Sequence, residues 1–188
     1  PNIIVIMTDQ QKATASHLYS STFSQTPAME RLAKEGILFE HAYTPHALCV
    51  PARISTWTGQ FSRTHGCNSN EQLIPPDTPH AFQLWHDLGY QTGLIGKNHC
   101  FGEADQQYFD VWCEIEHRSM GNFPLRGMEW VHPLDGVEAD LNVRRNMPKT
   151  TPHFWTTVTD FPLEYYSTGL VADQTIQYLE THTDDPFA

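Results

Sequence analysis

Five apolar residues, Ile3-Ile4-Val5-Ile6-Met7, run without a polar break and stop at Thr8-Asp9-Gln10. The run does not alternate, so it suits a strand buried on both faces of a sheet, which is the pattern of parallel sheets covered by helices. Helix signals follow. Thr26-Pro27 reads as an N-cap with proline at the first helical position, Met29, Leu32 and Ala33 make an apolar stripe, and Gly36 closes the segment. Ile37-Leu38-Phe39 is a second strand candidate. Further helices are expected from about Pro51 to Thr58 and from about His80 to Leu88, the latter closed by Gly89. Gln91 to Ile95 reads as another short strand ending at Gly96. Strands alternating with helices predict an α/β fold with ligands at the carboxyl ends of the strands.

From Gly102 to about Phe161 the pattern degrades. Prolines at 124, 133, 148, 152 and 162 point to long loops packed over the sheet and not to a separate domain. A last helix is expected over Thr168 to Thr181 with Ala172, Ile176 and Leu179 on one face, and residues 184–188 read as a turn entering another strand. The chain has 188 residues, enough for one domain by the usual span of roughly 100–200. Its formal charge of −11 argues against nucleic acid, whose phosphates are held mainly by Lys and Arg. No apolar run approaches the roughly 20 residues that cross a bilayer, so no membrane partner is expected. The four cysteines at 49, 67, 100 and 113 form no CxxC pair, which fits reduced thiols in a cytoplasmic protein. There is no charged n-region or cleavage site, and opening inside an apolar run suggests that the original first residues are missing.

Three short segments could carry chemistry. Asp9 sits where the first strand ends, and with Gln10 it offers oxygen donors suited to a hard divalent cation, or else a helix cap or surface turn. In Cys49-Val50-Pro51-Ala52-Arg53, Pro51 is expected to start a helix, so that Cys49 faces its unpaired N–H groups and Arg53 points at the same anion. A phosphatase loop needs a wider Cys-to-Arg spacing than the three residues here. Gly96-Lys97-Asn98-His99 closes a strand, and alternation would put Lys97 and His99 on one side. It is not a P-loop, because Gln91 stands where the earlier glycine belongs and no Ser or Thr follows Lys97. The remaining histidines show no metal-binding spacing, and Trp85, Trp112, Trp130 and Trp155 read as core or loop anchors.

Cys49, Pro51, Ala52, Arg53, Thr58 and Gly59 together resemble the signature of the formylglycine-dependent sulfatases of the alkaline phosphatase superfamily. The opening strand with Asp9, the segment from Thr26 to Phe39, Gly59-Gln60, Thr64-His65-Gly66, Asn70 and Gly-Lys-x-His at residues 96–99 extend the resemblance over most of the chain. It implies a central mixed, mostly parallel sheet flanked by helices, alkaline phosphatase-like and incomplete in this chain. It also implies that Cys49 is converted to formylglycine by a formylglycine-generating or sulfatase-maturing enzyme. The hydrated aldehyde would attack the sulfur of a small-molecule sulfate ester, and collapse of its second hydroxyl would release sulfate. Arg53, Lys97 and His99 are the other implied catalytic residues, with Lys97 and Arg53 also binding sulfate. Asn70 would orient the sulfate or the diol, or else cap a loop.

The metal would be one divalent cation, calcium in the first place and magnesium or manganese as alternatives, held by Asp9, Gln10 and residue 49. Many members have a second Asp where this chain has Gln10, while choline sulfatases and phosphonate monoester hydrolases have Gln. The family's later leaving-group histidine and its Asp-Asn or Asp-His metal pair are missing, and no such dipeptide occurs here. Residues 1–188 are therefore expected to be the N-terminal part of a single catalytic domain whose remainder follows residue 188, and to be inactive alone. Alternative readings are a phosphonate or phosphate diester hydrolase, or a non-catalytic anion-binding fragment.

Overall fold

A computed structural model describes residues 1–19, 22, 24–115, 166–182 and 185–188. Helix α1 spans Pro27–Glu35, as its proline and apolar stripe predict. Its Thr26 does not cap through its side chain; the hydroxyl instead lies 3.2 Å from Ser16 Oγ and accepts from the His17 N–H. Helix α2 spans Cys49–Thr58 and α3 spans Ser62–His65, followed by α4 at Ala81–Asp87. The His80 ring nitrogen accepts from the Gln83 N–H and caps α4, while Gly89, with φ +81°, takes the left-handed turn after it.

Strand β1, Gly93–Gly96, pairs in parallel with β2, Val111–Glu114. The second strand lies in the stretch read from sequence as loop, and all four of its residues are buried. The prolines that motivated the loop reading fall within residues 116–165, outside the described residues, as do Trp130 and Trp155. Helix α5, Ser167–Thr181, closes the described chain. Its buried face is Leu170, Gln174 and Tyr178, which are one turn apart. The expected face was different: Ala172 and Ile176 are exposed, and only Leu179 packs inward. No helix among the described residues is long and apolar enough to cross a membrane.

The last residues form an isolated parallel bridge, Gln91 with Phe187, beside β1. Gln91 N donates to Pro186 O, Ala188 N to Gln91 O and Gly93 N to Ala188 O, each at 2.8–2.9 Å, a parallel pairing. On the opposite side Ile3 N donates to Phe187 O at 2.9 Å. The order across the sheet is thus residue 3, residues 186–188, β1 and β2. Residues 3–7 form no regular strand, and Ile4, Val5, Ile6 and Met7 are exposed, Ile6 by 81%. Ile37-Leu38-Phe39 is likewise irregular and exposed. The apolar pattern marks segments fit for burial on two faces, but among the described residues no element covers them.

The core gathers behind α2. Val50 and Ile54, one turn apart on that helix, pack with Cys67, Ile74, Phe82, Leu94, Cys100, Phe101, Phe109 and Trp112. Phe82, Phe101, Phe109 and Trp112 form a continuous run of tilted and edge-on rings with centroids 5.0–5.5 Å apart. Trp57, two turns along from Val50, adds its ring 4.8 Å from Phe82, and Trp85 packs against the same cluster. The expectation of core tryptophans holds for Trp85 and Trp112. All four cysteines are free thiols, and burial pushes Cys100 and Cys113 up to about 12.

A buried Ser55–His65 contact of 2.9 Å fixes α2 against α3. Cys67 N–H donates to His65 Nδ1, so the neutral ring carries its hydrogen on Nε2 and donates to Ser55 Oγ. The serine therefore meets a donor, not a general base, and the pair is a clamp. Burial, then the charge on His46, holds the His65 pKa below its ordinary value. Because the folded state prefers the neutral ring, the contribution is full above the unfolded pKa of about 6.5 and is lost as pH falls through the folded value. His65→Gln should flatten the pH dependence of the urea midpoint across that acid window; an unchanged slope would count against the clamp. At the end of β1, Gly96 has φ +107°, and a Cβ there would lie 3.2 Å from Val171 Cγ2 on α5. Gly96→Ala should cost about 1–3 kcal/mol in denaturant unfolding, since backbone strain and contact with α5 act together.

Candidate active site

Asp9, Cys49, Arg53 and Lys97 come from three separate stretches of chain and meet at one point. Asp9 ends the opening segment, Cys49 and Arg53 lie one turn apart on α2, and Lys97 follows Gly96 at the carboxyl end of β1. Lys97 Nζ is 2.5 Å from Asp9 Oδ2 and 3.5 Å from Cys49 Sγ. Arg53 divides its fork: Nη1 donates to the Lys97 carbonyl at 2.8 Å, and Nη2 lies 3.9 Å from Asp9 Oδ2. The Lys97 and Arg53 side chains are only 11% and 10% exposed, against 38% for Asp9. Both cations thus reach the carboxylate from the protein side.

The helix itself begins earlier than the proline suggests. Leu48 is the N-cap, Cys49 the first helical residue, and Ala52 N donates to Leu48 O. Pro51 is the third helical residue, a place where its missing N–H leaves nothing unpaired. Cys49 is therefore part of the first turn and does not face it from outside. Nor are the helix N–H groups all open to an anion. Val50 N–H donates to Asn70 Oδ1 at 3.1 Å, so Asn70 caps α2 from twenty positions along the chain, where Leu48 has no side chain able to do so. This is the capping reading of Asn70, applied to a helix instead of a loop.

Beyond β1 the chain turns, so strand alternation does not govern Lys97 and His99. Buried Asn98 shapes that turn: its Oδ1 accepts from the N–H groups of Cys100 and Phe101, and its Nδ2 donates to Phe101 O. His99 takes a left-handed φ of +63° and is half-buried. Sequence reading passed over Asn98; its signal was an Asx residue two positions after a glycine-terminated strand.

Two cations against one carboxylate leave the cluster net positive in a chain whose formal charge is −11. Burial opposes ionisation of Asp9, but the hydrogen bond and charge of Lys97, the Gln10 N–H and the charge of Arg53 overcome it. The carboxyl is held below its ordinary range. The arrangement can therefore attract and orient an oxyanion beside residue 49. A cleft of about 390 Å³ opens elsewhere, against the C-terminal half of α2 near Tyr43, Thr56 and Phe61, and contains none of these residues.

A divalent cation is not matched by the described residues alone. No three His, Cys, Asp or Glu side chains among them gather, and the one carboxylate in the cluster is already engaged by Lys97. The Gln10 backbone N–H donates to the Asp9 carboxylate. Calcium takes 6–8 oxygens, and this set falls far short. Removal of the α2 cap is the direct probe of how residue 49 is held: Asn70→Ala should lower stability by about 1 kcal/mol, read by thermal or urea unfolding.

An N-acetylglucosamine-6-O-sulfatase from Bacteroides thetaiotaomicron is 30% identical over 181 residues, covering 96% of this chain and 27% of the relative. A choline-sulfatase from Rhizobium meliloti is 35% identical over 111 residues, 58% of this chain and 22% of the relative. Among solved structures, a protein in complex with its substrate D-glucosamine-2-N,6-O-disulfate matches with TM-score 0.60 and 31% identity, over 79% of this chain and 32% of that one. The phosphonate monoester hydrolase of Agrobacterium radiobacter matches in fold with TM-score 0.66 at 19% identity, over all of this chain and 39% of that one. The chain thus spans about a quarter of the first of these relatives and shares an alkaline phosphatase-like fold with its structural neighbours. Residues 1–188 match the Sulfatase family throughout, and the chain belongs to that family.

Proposed function

We propose that these residues are the N-terminal part of a larger catalytic domain that hydrolyses sulfate esters through formylglycine at position 49. The observation that carries the reading is the approach of Lys97 Nζ to Cys49 Sγ within a cluster that also holds Arg53 and Asp9, in a member of the Sulfatase family. In that comparison Sγ stands in for the oxygen of the modified side chain. Oxidation of Cys49 by a maturing enzyme gives an aldehyde whose hydrate supplies the attacking hydroxyl and, by collapse, releases sulfate. A bare thiol cannot do this.

The chain's own residues have definable parts. Lys97, 11% exposed, brings positive charge to within reach of the nucleophile and of a sulfate oxygen. Arg53 holds the Lys97 carbonyl and adds its charge from the same side. Asp9, Gln10 and residue 49 would contribute ligands to one divalent cation, calcium before magnesium or manganese, and the described residues alone do not complete its coordination. The anchored helix α2 holds residue 49 in place while charge develops, so little reorganisation is needed. A sulfated amino sugar is the first substrate to test, because one structural neighbour holds such a compound.

Peptide mass spectrometry of the protein from its native host should find formylglycine at residue 49; an unmodified thiol would end the proposal. In the full-length protein, Cys49→Ala should reduce turnover by about 10⁴-fold or more, and Cys49→Ser should leave only a slow, non-regenerating reaction. Sustained multiple turnover by either variant contradicts the assigned nucleophile. Comparing kcat/KM for an aryl sulfate and for phenylphosphonate separates sulfatase from phosphonate hydrolase. The 188 residues alone should show no turnover, given one engaged carboxylate for the metal.

A further inference from the structure

The charged cluster stands at one end of a longer helix face. Thr56 follows Cys49 by seven positions on α2, close to two full turns, so both lie on one face, about 10 Å apart along the axis. Thr56 is also in the wall of the cleft of about 390 Å³. We propose that this cleft is a second subsite, which holds an uncharged sugar unit of an oligosaccharide whose sulfated unit sits at residue 49. The inference rests on the functional reading above, because it takes a sulfated sugar as the substrate.

The lining suits such a unit. None of the lining residues carries a charge, although the chain as a whole has a formal charge of −11. An anionic group is drawn instead to Lys97 and Arg53. Two of the lining residues are aromatic and open to solvent, Tyr43 by 88% and Phe61 by 61%. Such rings offer an apolar face to the C–H face of a sugar, and Tyr43 adds a hydroxyl at its edge. Thr56 donates its hydroxyl hydrogen to the Ala52 carbonyl at 2.9 Å and keeps its lone pairs, while the Gln60 amide can both donate and accept. Sugar hydroxyls need both kinds of partner. The volume lies within the range of small-molecule sites.

Both stretches that line the cleft have a set shape. Gly59 leaves α2 through a left-handed φ of +67°, its N–H donating to the Ser55 carbonyl at 3.0 Å, and the Gln60 N–H donates to the Thr58 hydroxyl at 3.2 Å. The Arg63 guanidinium lies 5.5 Å from the centroid of the Phe61 ring and steadies it by a cation–π contact. In the other stretch the Thr44 hydroxyl donates to the His46 carbonyl at 2.9 Å, and Pro45 fixes its own φ beside Tyr43 and Thr44. A preformed cleft loses little entropy when a ligand enters.

The test uses full-length protein from its native host. The probes are D-glucosamine-2-N,6-O-disulfate and two trisaccharides, in which that sugar is extended at one end or the other by uncharged N-acetylglucosamine units. One trisaccharide should show kcat/KM about tenfold or more above the monosaccharide. Tyr43→Ala combined with Phe61→Ala should remove the advantage, with aryl sulfate turnover and the urea midpoint unchanged, while Tyr43→Phe should keep it. Equal kcat/KM for all the sugars, an advantage that survives the double substitution, or aryl sulfate turnover with none on any sugar overturns the proposal. Saturation-transfer NMR with the unsulfated N-acetylglucosamine trisaccharide reads the cleft without turnover, and its signal should fall about fivefold or more in the double variant. Absence of transfer to the wild-type protein also overturns it. Transfer that depends on Tyr43 and Phe61, with no sulfate ester hydrolysed, sinks the sulfatase reading and leaves the sugar site standing. Aryl sulfate hydrolysis with no gain from chain length does the reverse.

Discussion

Residues 186–188 are the seam on which the site depends. Their backbone bonds to Gln91 and Gly93 on one side and to Ile3 on the other, so a three-residue segment sets the opening of the chain beside β1. Asp9 and Lys97 are separated by 88 positions, and closing a loop of that length has a large entropic cost that one exposed ion pair cannot offset. The sheet bonds bear that cost, and the ion pair follows from the placement. Phe187 adds a side chain to the small cluster with Val111 and Tyr178, so the seam is held by packing as well as by hydrogen bonds. Tyr178 reaches back with its hydroxyl to the Gln91 carbonyl, tying α5 to the same point.

Much of the local structure was readable from local chemistry. The proline and stripe of α1, the glycine after α4, and the run ending at Gly96 all led to elements close to those found. What failed depends on neighbours far along the chain. Val111–Glu114 is too short for a periodic signal, and its buried Glu114 breaks the apolar pattern, so β2 was hidden within a loop reading. The helix face of α5 was misassigned because Gln174, fully buried beneath the sheet, looked like a solvent residue. Residues 4–7 carry a sound burial signal, yet burial requires covering elements, and the described chain provides none there.

The candidate site divides in the same way. Cys49, Arg53 and Lys97 were identifiable because the required chemical types recur at short spacing, and the fold brings them together with Asp9. The division of labour within the group was not identifiable. No sequence spacing says that one arm of Arg53 holds a backbone carbonyl, or that Asn70 caps the helix carrying Cys49. Each of these is a contact over twenty or more positions, made possible only after the core has formed.

The same core explains why residue 49 can be held firmly although it is half-buried at a helix start. The inner face of α2 carries Val50, Ile54 and Trp57 into a run of aromatic rings, while Ser55 is locked to a neutral His65. The first half of the helix then holds Cys49 and the buried Arg53 on a rigid support. The opposing wall has positive φ at Gly96 and at His99, with Asn98 between them as the tie. A fixed helix facing a tightly tied turn brings Lys97 between them, where its Nζ lies 2.5 Å from Asp9 Oδ2 and 3.5 Å from Cys49 Sγ at once.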